Sequence, residues 1–126
     1  MKALTIFSWF YLLSTVAQAQ TLQIPTSAEI SARLDSGKYN LPYCKGQVVD
    51  APSKNSFEQN ERGYCAGMVA ALIQIGDRLQ PKDRFCKPDA ASTKDGMRIV
   101  VSYLEGHSNR LNEKFVDLGI EALRRI

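Results

Sequence analysis

Apolar residues recur every three or four positions along several stretches of this chain, a period that selects helix over strand. From Phe57 to Leu79, the side chains Cys65, Met68, Val69, Leu72, Ile75 and Leu79 fall on one face, and Pro81 stops the run. A second helix begins after Ser92, with Asp95 three residues on as an acidic form of the capping box. Met97, Val100, Val101 and Leu104 form its inner face, and the stretch from Gly106 to Asn109 breaks it. A last helix turns Leu111, Phe115, Leu118, Ala122 and Ile126 inward and leaves Lys114, Arg124 and Arg125 in water. The two arginines suit the negative end of its dipole. Earlier in the chain, Ser27 can cap a short helix over Ala28 to Asp35, with Ile30 and Leu34 on one face and Gly37 ending it.

Residues 38–56, which contain Pro42, Gly46 and Pro52, read as an irregular connector holding a helical turn near Leu41 to Gly46. No sustained alternation of period two competes with these helices. Val48-Val49 is brief, and Ile99-Val100-Val101 lies inside a helical period. The expected fold is therefore a small all-α single-domain bundle of four or five helices.

The start of the chain follows a different pattern. Lys2, a strongly apolar run from Leu4 to Val16, and Ala17-Gln18-Ala19 make the charged, apolar and small-residue parts of a secretory signal peptide. The apolar run is short for a bilayer span, which needs about 20 residues. Residues 1–19 are thus expected to be removed, leaving a domain over residues 20–126 that is exported and not stably inserted in a membrane. With Lys2 gone, fifteen basic side chains face thirteen acidic ones. That weak balance gives no concentrated basic face and argues against nucleic acid as partner.

The stretch GYCAGMVAAL at 63–72 carries the most chemistry for its length. A cysteine nucleophile needs a base beside it. The only imidazole is His107, at a helix end, where contact with backbone carbonyls is its ordinary role. Three cysteines and one histidine equal a zinc ligand set in number, but they lie about twenty residues apart with no close pair. The isolated glycines Gly63 and Gly67 form no phosphate cradle, and the carboxylates are scattered without a pairing motif. The residues thus point to no enzyme, no cofactor and no metal.

Cys44, Cys65 and Cys86 are an odd number in a chain whose leader implies an oxidising compartment, so one thiol is left over. The chain between Cys65 and Cys86 is long enough to fold back along its helix. A bond there would close about 22 residues and add roughly 3 kcal/mol of stability. Gly67, costly inside a helix, reads as a place where a returning loop or a neighbouring helix packs closely.

Four pieces in order, GYCAGMVAAL at 63–72, RFCKPDAAST at 84–93, IVVSYLEGHSNRL at 99–111 and LGIEAL at 118–123, resemble the Tai/Rap family of type VI secretion amidase effector immunity proteins. The resemblance covers residues 63–126. Ser108 stands where the family commonly has proline, and Asp95 where it commonly has glutamine. The chain ends Arg124-Arg125-Ile126 in place of the phenylalanine–proline–cysteine of many members. The resemblance implies a compact helical domain with Cys65 bonded to Cys86. It implies a periplasmic protein, often a homodimer, that occludes the active site of a peptidoglycan amidase toxin and is not itself an enzyme. Cys44 then lacks its expected partner: free, paired between chains, and competing for Cys65 are all open.

Inhibition of this kind needs a complementary surface. The loops expected to supply it are Pro81, Lys82, Asp83 and Arg84, then His107, Asn109 and Arg110, with the polar stretch Ser53 to Glu61 as a further option. Each could equally be an ordinary solvated loop. The rival readings are a small disulfide-stapled periplasmic chaperone, an orphan binding protein of the same fold, and a peptidoglycan-associated enzyme that the missing catalytic set disfavours.

Overall fold

The computed structural model describes residues 24–125; the leader assigned to residues 1–19 and the inward place of Ile126 lie outside the described residues. Five helices follow in order: α1 (Ser27–Leu34), α2 (Gly37–Val48), α3 (Ser56–Ile75), α4 (Thr93–Gly106) and α5 (Phe115–Leu123). Short 3-10 turns, Gly76–Arg78 and Ser108–Arg110, close α3 and α4. The described residues thus form the expected all-α bundle with one intrachain disulfide.

The amphipathic helices settle where their periods place them. α4 buries Met97, Val100, Val101 and Leu104 and packs against α2, α3 and α5. α5 buries Phe115, Leu118 and Ala122 as expected, and also Leu123, which the expected face left out; Leu111, expected on that face, lies before the helix at the end of the 3-10 turn and is half-buried. α3 contributes Cys65, Val69 and Leu72, but Ile75 is exposed, because the helix ends there and the chain turns at Gly76. The Ser92–Asp95 box forms in both directions: Ser92 Oγ accepts from the Asp95 N–H at 3.2 Å, and Asp95 Oδ2 accepts from the Ser92 N–H at 3.0 Å. These bonds hold the Asp95 carboxyl below the usual carboxylate range, Ser92 being the main cause.

At α1 the cap is Thr26, not Ser27. Thr26 and Glu29 make a reciprocal capping box, with Glu29 Oε2 accepting from the Thr26 N–H at 2.7 Å. The threonine and the glutamate three places on were a readable sign of that start. None of α1 is buried, and Ile30 and Leu34 remain 45% exposed, so its apolar face is only partly covered within the described chain.

The largest departure is α2. Residues 38–48, expected to be mostly connector, are helical, with Pro42 inside the helix. Gly37 opens this helix where it was expected to close the one before. The apolar period misses α2 because its buried positions are Gly37, Asn40 and Cys44, none of them a large hydrocarbon. Tertiary bonds fix its start: the Gly37 N–H donates to Glu113 O at 3.0 Å and the Lys38 N–H to Leu111 O at 2.7 Å. Gly37 lies so close to the core that an added β-carbon would stand 2.8 Å from Leu118 Cδ1. Packing of this kind outweighs the lost hydrogen bond of an exposed proline.

The disulfide is Cys44–Cys65, with Cα atoms 5.4 Å apart, and not the expected Cys65–Cys86. Cys44 of α2 and Cys65 of α3 are both fully buried where the two helices pack. Cys86 is exposed and free. In its irregular segment Phe85 takes the inward place, its ring against Gly76. Loop length could not have decided between the bonds, since both pairs are separated by 21 positions. The expected close packing at Gly67 is likewise absent: nothing lies within 4 Å of the place a β-carbon would take.

Candidate functional site

The side chains expected to meet a partner fall into two groups that the fold keeps apart. Pro81, Lys82, Asp83 and Arg84 follow the end of α3, which packs beside the start of α4, with Ile73 against Gly96. His107, Asn109 and Arg110 follow the other end of α4. Fourteen residues of helix separate them, roughly 20 Å at 1.5 Å per residue. Pro81, Lys82 and Arg84 are exposed and Asp83 half-buried, in a turn closed by the Asp83 N–H donating to Gln80 O at 2.8 Å.

The second group is mostly committed to the fold. Arg110 grips Glu121 of α5 through Nη1 and Nη2, at 2.7 and 2.9 Å, and Glu113 through Nε and Nη2, both at 2.7 Å. Tyr103 of α4 donates its hydroxyl to Glu121 Oε2 at 2.6 Å. Arg110 first, then Tyr103, lowers the Glu121 carboxyl to about 2. His107 donates from Nδ1 to the Tyr103 carbonyl at 2.7 Å and stacks on the Tyr103 ring, with centroids 4.0 Å apart. This is the helix-end role read for it, with the added stack. Asn109 alone of the three is exposed.

Beside this knot runs an open groove of about 460 Å³ between α4 and the end of α5. Its floor includes Ile99 and Tyr103, and its rim carries Arg98, His107 and Arg125. The Arg125 guanidinium carbon lies 4.9 Å from the centre of the Tyr103 ring, a cation–π distance. Sequence reading placed Arg124 and Arg125 in water as dipole partners; that Arg125 meets Tyr103 depends on how α5 crosses α4.

A different surface joins α1, α2 and α3. Tyr39 and Tyr43 have ring centroids 5.4 Å apart, and Tyr43 meets Phe57 at 6.5 Å, edge to face. Phe57, Tyr64 and Leu34 are exposed large side chains on the same three helices. Tyr39 is raised to about 12, first by burial and then by the Glu61 carboxylate and Tyr43, so its hydroxyl stays protonated. The apolar period does not announce this surface, because Tyr39 and Tyr43 at its centre lie in α2, the helix expected to be mostly connector. Next to it, Arg62 is buried and ties down the loop before α3, donating to the carbonyls of Ala51 and Pro52 and to Glu58 Oε1 at 2.6 Å.

Among the described residues no group of three or more His, Cys, Asp or Glu side chains could hold a metal ion, and no helix is long and apolar enough to cross a membrane. What the fold offers a partner is shaped surface on a braced scaffold. A family model described as Rap1a immunity proteins matches residues 36–125, well over half of the chain. Comparison with curated proteins and with solved structures gives no match.

Proposed function

Since this chain belongs to the Rap1a immunity protein family, we propose that it is an exported, non-enzymatic inhibitor that binds a peptidoglycan amidase delivered by type VI secretion and covers its active site. The match over residues 36–125 carries the reading. Residue chemistry supports it in three ways. The domain is welded by a buried disulfide, which suits a chain that works in an oxidising compartment. The helices brace one another, so their surface is presented with little loss of freedom on binding. The leader pattern at residues 1–19 supplies a route out of the cytoplasm.

The contact surface is part of this proposal. The loop Pro81 to Arg84 exposes Pro81, Lys82 and Arg84, with Arg84 Nε donating to the Leu79 carbonyl at 3.4 Å, and remains a contact element, as does Asn109. Arg110 acts through the fold, by fixing the end of α4 to α5. Assembly of two copies belongs to the same proposal and is measured by sedimentation of the processed protein.

The test is co-expression in the periplasm with a panel of peptidoglycan amidase effectors. The expected outcome is survival of the cells and co-purification of a complex with one of them. Lysis with every effector, and no complex with any, overturns the reading.

A further inference from the structure

The groove between α4 and the end of α5 has a chemical character that the bundle itself does not require. Its charged lining is basic: Arg98 from α4 and Arg125 after α5, beside the stacked rings of Tyr103 and His107. The carboxylates nearby are already satisfied. Glu121 accepts from Arg110 and from the Tyr103 hydroxyl, and Asp95 accepts from Ser92 and from Arg98 Nη1 at 2.9 Å. Arg98 therefore spends one nitrogen internally and keeps its other donors, with its side chain 56% exposed. Arg125 makes no ion pair among the described residues.

We propose that this groove seats an acidic segment of the toxin, a loop whose Asp or Glu side chains meet Arg98 and Arg125 across the Tyr103–His107 stack. The inference rests on the immunity reading and gives its partner a surface and a charge. Guanidinium groups pair with carboxylates through two parallel donors, and the Tyr103 ring under Arg125 orients that guanidinium without consuming its donors. The wall is set before binding, since Tyr103 is held by His107 on its ring and by Glu121 and Arg110 at its hydroxyl. The groove is shallow and open, so it meets side chains presented on a loop and does not enclose them. A basic segment would meet like charge in the same place, so the groove selects by sign as well as by shape. Rim charges of this kind speed association and make it sensitive to salt.

The experiment uses the processed protein and the amidase effector that it neutralises. Reversal of both charges, Arg98→Glu with Arg125→Glu, is expected to weaken the complex at least tenfold, chiefly by slowing association, and to flatten its dependence on salt. The same reversal at Arg78→Glu, outside the groove, is expected to leave binding within twofold. If the double variant fails to fold, titration of the wild-type protein with the effector replaces it, read by NMR at the arginine Nε–H groups. Shifts at both Arg98 and Arg125 are the expected result. Full-strength binding by a folded double variant, or complex formation in which the Nε–H signals of Arg98 and Arg125 do not move, overturns the groove and leaves the immunity reading standing. Absence of any complex with the wild-type protein overturns both.

Discussion

Gly67 and Gly37 show how much a single position depends on its surroundings. Both are glycines within helices, yet Gly67 faces open space and Gly37 faces Leu118 and Leu104. Gly67→Ala should stabilise the protein by about 1 kcal/mol, the helix propensity gained. Gly37→Ala should destabilise it by about 1–3 kcal/mol through overpacking. Urea denaturation of the two variants checks both signs at once. Glu121 gives the corresponding expectation for pH. Its folded value is held down to about 2, against an ordinary value of 4.5, by Arg110 and then Tyr103. Its contribution is therefore complete above about 4.5 and is lost as pH falls from there towards about 2. Glu121→Gln should lower the melting midpoint at pH 7 more than at pH 2.5. An equal drop at both would show that the ion pair is not what holds α5 to the 3-10 turn.

At the scale of elements, α4 is the helix most fully written in local sequence. Its cap, its acidic first turn and its apolar period all agree, and each is realised. Ser92→Ala should cost about 1 kcal/mol, and thermal melting of the variant measures it. α2 is the opposite case. It has a proline inside and a glycine, an asparagine and a cysteine as its buried positions, so no period announces it. Asn40 is fully buried and donates to the carbonyls of Leu34 and Ser36, both at 2.9 Å, which joins the end of α1 to the start of α2. Contacts of that kind become visible only when α4 and α5 are in place. The aromatic surface went unread for the same reason. Tyr39 and Tyr43 adjoin Phe57 only because α2 is a helix packed on α3.

For the molecule as a whole, the Cys44–Cys65 bond ties the helix least supported by its own sequence to the longest one. Replacing both cysteines by serine should cost about 3 kcal/mol on the loop-entropy argument, whereas Cys86→Ser should leave the midpoint unchanged. A count of one free thiol per chain fits either pairing, so peptide mapping of the alkylated protein must place that thiol at Cys86. Label at Cys44 would restore the bond that the sequence suggested. The sequence by itself determined the helical class, the inner face of α4, the Phe115, Leu118 and Ala122 positions of α5, the Ser92–Asp95 cap and the family, because these depend on spacing between near neighbours in the chain. Tertiary structure alone decided which cysteines pair, that α2 is a helix, and that Arg98, Tyr103, His107 and Arg125 share one groove. Two disulfides of equal separation cost the same chain entropy, and only the packing of α2 on α3, with Phe85 turned inward and Cys86 outward, distinguishes them.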